Sequence, residues 1–579
     1  MNRITEHYFT RLLLFFIIIA AGGLSAHSGE LEYTFHKNVM IPMRDGVKLA
    51  ANLFIPNEEA AFPVILMRSP YGKSDENFSL GKEYASNGYA VVIQDCRGKG
   101  DSEGVWDPFR YDVEDGYDTQ QWVGLQPWCD GNIGTSGGSY VGWTQWASAP
   151  EGSPYLRAMI PIVPFAHAYN VMYAGGAYQL SLSMGWGALV SGVPIDAQSI
   201  KWDDVFSKIP LNKWDQQFGH EIFYLRDWIK HYTNDDYWKK RGIDERFDEI
   251  TIPILNIGGW YDIFSKATLE QIARVRKESK NFEARRNQFC ILGPWGHGAN
   301  QTKVGEIDFG EAAKIEWGKI QRQWYDYWLK KKNTGVEDWP AFYLFIMGEN
   351  QWRGEQEWPL ARTVFTNYYL HSDGGANTRN GSGLLTIDLP ETEETPDTYV
   401  YDPENPVPTH GGNNLIGATI GPYDQQKIEE RDDVLVFTSD ALEKPVEVTG
   451  PVKLMLYAAS TAKDTDFTGK LVDVHPDGKA YNVCEGIIRA RYRDSFTDLS
   501  LIEPGKVYRY EIDLWVTSNL FKAGHRIRLE VSSSNFPRFD RNPNSGKEFG
   551  TDEELFKATQ TIFHDKNYPS HLALPIIPR

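Results

Sequence analysis

Short runs of consecutive apolar residues, broken by glycine, proline and amphipathic stretches, set the pattern of the first third of the chain. Residues 38–56 hold two apolar-rich segments that turn at Asp45-Gly46, which predicts a strand hairpin. Residues 62–68 and 89–94 are continuous apolar runs, and 80–87 between them has helical spacing. Runs of that length without polar alternation suit strands buried on both faces, hence a parallel sheet covered by helices. The theme returns at 252–258 and 287–293, with a helical 266–278 between them. From about 165 to 249 the strand pattern stops: 169–189 and 225 through 241 read as amphipathic helices rich in Trp and Tyr. A helical block between two pieces of one sheet has the form of an inserted cap; the alternative is that these helices belong to one large domain. Beyond about 352, strand-like runs at 364–370, 434–438, 452–458 and 525–532 alternate with Gly, Pro, Asn and Asp turns, predicting an all-β sandwich of jelly-roll type.

The expected organisation is therefore a leader at 1–26, an α/β core in two parts at 27–164 and 250–350, a helical cap at 165–249 and a β-sandwich at 351–579. The leader follows from Arg3 and Arg11 ahead of the apolar run 12–21 and the small residues 22–26, the form of a secretory signal peptide. That run is short for a hydrocarbon core of about 30 Å, so export to the periplasm or medium is expected, with no membrane span once the leader is removed. An uncleaved anchor is the alternative.

Composition narrows the partners. The 579 residues carry a formal charge of −19, which repels phosphate backbones and argues against nucleic acid. The 19 Trp and 30 Tyr suit buried cores and aromatic-lined pockets. Four cysteines, Cys96, Cys129, Cys290 and Cys484, are scattered without CxxC or His/Cys metal spacing, so buried free thiols are expected, with a bridge the alternative in an oxidising compartment, and neither a zinc site nor a cofactor is indicated.

Candidate chemistry begins at Gly134-Thr-Ser-Gly-Gly-Ser139-Tyr140-Val-Gly142, a glycine-rich turn between a strand-like and a helix-like segment. A sharp strand–turn–helix exposes a serine hydroxyl, although the last glycine sits one place late for G-x-S-x-G, and such a turn alone can equally be packing. A nucleophilic serine needs a base and an orienting acid, which follow in the order Ser, Asp, His in α/β-hydrolases. Gly258-Gly-Trp-Tyr-Asp262 and Gly293-Pro-Trp-Gly-His297 place an acid and a histidine just past successive apolar strands, where open α/β sheets gather catalytic groups. Ser139, His297 and Asp262 therefore form the expected triad.

The chain resembles the cocaine esterase/X-Pro dipeptidyl-peptidase group of serine hydrolases, which includes α-amino-acid ester hydrolases and glutaryl cephalosporin acylases. The resemblance runs from about Val39 to the C-terminus. It rests on Arg68-Ser-Pro-Tyr71, Gln94-Asp-Cys-Arg-Gly-Lys-Gly-Asp-Ser-Glu-Gly104, Gln126-Pro-Trp128, Gly137-Gly-Ser-Tyr-Val-Gly142, Gly259-Trp-Tyr-Asp262, Gly293-Pro-Trp-Gly-His297 and Gly524-His-Arg-Ile-Arg-Leu529. It implies an α/β-hydrolase core with a helical cap and a C-terminal jelly roll. It also implies that Ser139 is the nucleophile, His297 the base and Asp262 its orienting acid, with the Tyr140 N–H and the Tyr71 phenol as the oxyanion hole. Some members self-associate, so a homo-oligomer stays open here. Arg97-Gly98 and Asp101-Ser102 are expected to brace the sheet.

One departure bears on substrate. α-Amino-acid ester hydrolases carry acids two and three places after the triad aspartate, part of a cluster that holds the substrate ammonium; here those places are Phe264 and Ser265. The expected activity is hydrolysis of a carboxylic ester or amide of a small acyl group through an acyl-enzyme. The alternatives are an acylase or X-Pro-type dipeptidyl-peptidase acting on amides, and a non-catalytic binding protein that uses its β domain. Trp143, Trp186 and Trp260 are candidates for an acyl pocket, against a plain core role.

Overall fold

The computed structural model describes residues 31–193 and 200–579, so the expected leader at 1–26 lies outside the described residues. The core sheet has strands β1 (Tyr33–Pro42), β2 (Lys48–Pro56), β3 (Phe62–Ser69), β4 (Ala90–Asp95), β5 (Cys129–Gly138), β6 (Leu156–Ile162), β7 (Ile254–Gly259), β8 (Gln288–Gly293), β9 (Phe342–Ile346) and β10 (Gln351–Glu355). Their order is β1-β2-β4-β3-β5-β6-β7-β8-β9-β10. From β4 through β9 neighbours run parallel, while β1 and β2 at one edge and β10 at the other are antiparallel. The sheet is therefore mixed, and its last strand extends past the expected boundary at 350. Strands β3, β4, β7 and β8 are buried along their whole length, as their unbroken apolar runs require. Helices α1 (Ser79–Ser86), α2 (Asp112–Gly124) and α3 (Tyr140–Ser148) connect the first four parallel strands, β3 to β6.

Between β6 and β7 the chain forms α4 (Ala168–Met172), α5 (Leu180–Leu189), α6 (Trp202–Phe206), α7 (Phe223–Lys230) and α8 (Asp236–Lys239). The single helix expected over 169–189 is broken. Gly175 and Gly176 turn a short hairpin with φ of 54° and 80°, and a Cβ on Gly175 would stand 1.9 Å from the Ile487 carbonyl oxygen. Helical periodicity survives the break because the aromatic residues on both sides face one buried cluster. The hairpin is tied down from the C-terminal half: Asp540 Oδ1 accepts the Tyr178 N–H at 2.8 Å and Gly175 O accepts the Arg489 N–H at 2.8 Å. After β7 come α9 (Ser265–Glu278), α10 (Phe282–Arg286) and α11 (Trp317–Trp328).

The C-terminal part is all-β, from β11 (Val364–His371) to the last strand, His571–Ile577. One strand is far longer than the run at 452–458 suggested, and its partner lies in a stretch not singled out in the sequence. Val446–Ser460 pairs with Tyr508–Phe521 across a bulge at Pro451/Lys453, where proline and glycine interrupt the apolar pattern without ending the strand. Strands from both ends of this eleven-stranded sheet contribute to one cluster, Tyr399, Tyr401 and Ile562 at one end with Cys484 and Ile488 at the other, so the sheet closes over its own core. All four cysteines are buried and free. No helix of the described residues is long and apolar enough to cross a membrane.

Inside this β part His564 is fully enclosed, with Nδ1 2.9 Å from Glu394 and Nε2 2.9 Å from Asp397. Two carboxylates on one ring favour the imidazolium, and although burial opposes it, the pKa is raised. A raised folded pKa gives stability that is full below the unfolded value near 6.5 and is lost as pH rises through the folded value. Replacing His564 by Gln should destabilise the chain by about 3 kcal/mol at pH 6, because buried Asp397 and partly buried Glu394 lose their cation. Denaturant unfolding of both proteins from pH 6 to pH 9 should show that gap narrowing; a constant gap would mean a neutral ring.

Candidate active site

Strand β5 ends in Gly137-Gly138, and Ser139 follows at φ 59°, ψ −123° as the residue before α3. Gly137 has φ 133°, and a Cβ there would sit 2.2 Å from the Val141 side chain, so the tight turn excludes one. The Ser139 N–H donates to Ile162 O at 2.9 Å, and its carbonyl accepts the amides of Gly142 and Trp143 at 2.8 and 3.0 Å. A positive φ in a non-glycine residue costs about 1–3 kcal/mol, and these bonds hold it in place. Below the turn, buried Asp112 Oδ2 accepts the Tyr140 hydroxyl at 2.6 Å and the Trp143 indole at 2.9 Å, while the Tyr140 hydroxyl accepts the Phe109 N–H at 2.7 Å. Burial raises the Asp112 pKa against the lowering influence of Arg68 and these donors. Tyr140 is thus held by its ring, while its N–H lies in the first turn of α3, where amides have no intrahelical acceptor.

The hydroxyl groups of Tyr71 and Ser139 are hydrogen-bonded. Tyr71 follows β3, next in the sheet to β5, and its hydroxyl oxygen also accepts the Trp186 indole N–H from α5 at 3.1 Å. Enclosure raises the phenol pKa well above its ordinary value, so it remains a neutral donor. Past the ends of β7 and β8, Asp262 Oδ2 lies 2.5 Å from His297 Nδ1, and both side chains are buried. Asp262 Oδ1 accepts the Phe264 N–H at 2.8 Å. The two loops are laced together, Trp260 N–H to Gly293 O at 2.8 Å and Tyr261 N–H to Trp295 O at 2.9 Å. Ser139, Asp262 and His297 therefore stand past the carboxyl ends of β5, β7 and β8, on one edge of the sheet.

Other residues missed or underweighted by sequence reasoning shape this edge. Asn413, from the C-terminal half, donates its amide to Trp260 O at 2.7 Å and Asp262 O at 2.8 Å, and Trp515 donates its indole N–H to Ser265 Oγ at 2.7 Å. The only hint was the run Gly411-Gly-Asn-Asn414. Asp112 gave no signal at all. The Phe264 and His297 rings meet in a T-shaped pair with centroids 5.7 Å apart, and Phe264 packs on Phe165 at 4.8 Å. Of the three tryptophans considered, Trp186 touches Tyr71; Trp143 is fully buried against Asp112, and Trp260 donates to Phe345 O in a different cluster. Behind Phe264, where core, cap and β part meet, a cavity of about 340 Å³ is lined by residues including Tyr169, Lys266, Glu270 and Trp515, but not by Ser139 or His297. Arg97 binds Asp115 and Asp45, and Ser102 links the Asp95 carbonyl to the Ala50 amide, so both brace the sheet.

Comparison with known proteins fits this geometry. Residues 45–299 match the X-Pro dipeptidyl-peptidase (S15 family) model, and 334–573 match the X-Pro dipeptidyl-peptidase C-terminal non-catalytic domain. The chain is 39% identical to the cocaine esterase of Rhodococcus sp. (strain MB1 Bresler) over 578 residues, 95% of this chain and 99% of that one. The chain belongs to the S15 family. It is thus an ester or amide hydrolase of that family. Among solved structures, an aminopeptidase from a marine sediment Thaumarchaeota archaeon superposes with TM-score 0.81 at 25% identity, covering 96% of this chain and 98% of that one. An α-amino acid ester hydrolase superposes with TM-score 0.80 at 23% identity over 96% and 99%, showing the same fold.

Asn413→Ala would leave two buried carbonyls without their donor, and should destabilise the protein by about 1–3 kcal/mol while lowering turnover of a p-nitrophenyl ester. Denaturant unfolding and steady-state kinetics on the same preparation check this; unchanged values in both would remove Asn413 from the support of the Asp262 loop.

Proposed function

We propose that this S15-family hydrolase uses Ser139, His297 and Asp262 as a catalytic triad to cleave a carboxylic ester of a small acyl group through an acyl-enzyme intermediate. The observation that carries the reading is the pair of contacts at one sheet edge, Ser139 with Tyr71 and His297 with Asp262. With its Nδ1–H held by Asp262, His297 keeps its lone pair on Nε2, the nitrogen that takes the serine proton. The Ser139 oxygen then bonds to the substrate carbonyl carbon, and the carbonyl oxygen becomes an oxyanion that accepts from the Tyr71 phenol and the Tyr140 N–H. Collapse breaks the bond to the leaving group, which takes the proton from His297; water, deprotonated by the same nitrogen, releases the acid.

An ester is the first substrate class to test, because the relative at 39% identity is named for ester cleavage. The two places that hold acids in α-amino-acid ester hydrolases support this. Phe264 packs its ring against His297, and the Ser265 hydroxyl is engaged by Trp515, so neither offers a carboxylate to a substrate ammonium. The leader read at 1–26 adds export to the proposal; N-terminal sequencing of protein recovered outside the cytoplasm tests it.

A fluorophosphonate probe should label Ser139 and fail to label the His297→Ala protein. Ser139→Ala should fold normally and lose at least about 10⁴-fold in kcat. Tyr71→Phe, which keeps the ring and removes the donor, should lose about 10²–10³-fold in kcat with little change in KM. Matched ester and anilide substrates should favour the ester. A folded, active Ser139→Ala protein would end the assignment.

A further inference from the structure

The Gly524-His525 motif finds no part in the proposed reaction, yet its histidine is buried beside an acid and a second histidine. Asp473 is the next-to-last residue of the strand Asp466–Val474, which pairs antiparallel with Arg526–Ser532 in the register Val474↔Arg526. Continuing that register by one residue sets His475 across from His525. Asp473 Oδ1 lies 2.8 Å from His525 Nδ1, Asp473 Oδ2 lies 4.0 Å from His475 Nε2, and the two imidazole centroids are 4.4 Å apart. The donor atoms of all three fall within 4.8 Å of one another, the one such group among the described residues.

We propose that Asp473, His475 and His525 form a binding site for a divalent transition-metal ion of the zinc type. Two imidazoles and one carboxylate suit that class, whereas calcium and magnesium want oxygen ligands. Bonds of about 2.0–2.1 Å in a tetrahedral site separate neighbouring ligands by about 3.4 Å. With one ligand atom taken from each residue, all three already lie within 4.8 Å of one another, so the set must draw in by an ångström or so. The part that must move most can do so: His475 opens a turn closed by the Gly478 N–H to His475 O bond, and its side chain is 32% exposed. The other two are nearly buried, at 6% and 8%. That exposure gives the ion a way in and leaves a fourth position for water. The acid is itself oriented, since Asn519 donates its amide to Asp473 Oδ2 at 3.3 Å, as supporting residues do around metal ligands. Asn519 also bridges to Met347 at the end of β9, so the ion would fasten a turn of the β part close to the seam with the core. A formal charge of −19 on the chain favours cation capture, although Lys522 stands near His475 on the opposing side.

The full-length protein, stripped with a chelator, is titrated with Zn2+ by calorimetry and with Co2+ by visible absorption. One site per chain is expected, with nitrogen-ligand Co2+ bands and no binding of Ca2+. Affinity should fall at least about 10-fold in His475→Ala, His525→Ala and Asp473→Asn. Zinc should raise the Tm of the parent by a few degrees and leave that of His475→Ala unmoved. His475 lies in a half-exposed turn, so this variant should match the parent's Tm without metal and keep the test readable if the buried substitutions unfold. No heat above the chelator control, or one site persisting in the His475→Ala/His525→Ala double variant, would overturn the proposal and leave a plain hydrogen-bonded cluster.

Discussion

Everything at the sheet edge depends on keeping Ser139 at a positive φ. Its backbone conformation costs about 1–3 kcal/mol, and a serine left to local preference would relax into the helix that follows. What prevents this is not one contact but a ring of them: the strand neighbour takes its N–H, the helix start uses its carbonyl, and Asp112 pins the rings of Tyr140 and Trp143 underneath. Aromatic packing extends the clamp outward. Tyr140 stacks on Trp186 at 5.6 Å and Trp186 on Trp228 at 6.2 Å, so cap helices reach the turn through a continuous pile of rings.

The same edge belongs to three parts of the chain at once. The core supplies Ser139, Tyr71, Asp262 and His297, the cap supplies Trp186 against the Tyr71 hydroxyl, and the β part supplies Asn413 and Trp515 behind the Asp262 loop. Lys266, one residue after Ser265, is paired with Asp513 of the β part, which fixes the start of α9 from the far side. A C-terminal domain described as non-catalytic in the family thus bears directly on the position of the proposed orienting acid. The surroundings are apolar on the side of His297, where Phe264 and Phe165 meet, in keeping with the small uncharged acyl group proposed above.

The sequence by itself determined a good deal. Unbroken apolar runs announced the buried strands, and the glycine-rich loops after them carry Ser139, Asp262 and His297 to one edge of the sheet. These features are local, because a strand end and the loop behind it are adjacent in sequence. Where local pattern misled, the cause lay elsewhere in the molecule: the apparent helix at 169–189 is broken by backbone from 487 pressing on Gly175, and the long strand Val446–Ser460 runs on through its proline because a bulge absorbs it.

What only the tertiary structure decided was which distant residues meet. Asn413 lies about as far along the chain from Asp262 as a whole domain is long, yet its amide holds that loop; Asp112 anchors Tyr140 from another connection. Asp473 and His475 show no metal spacing until strand pairing brings His525 beside them. Hydrophobic periodicity encodes which face of an element is buried, but not which polar group of another element will be waiting there. That is fixed by sheet order, register and the packing of core, cap and β part, none of which a local stretch of sequence contains.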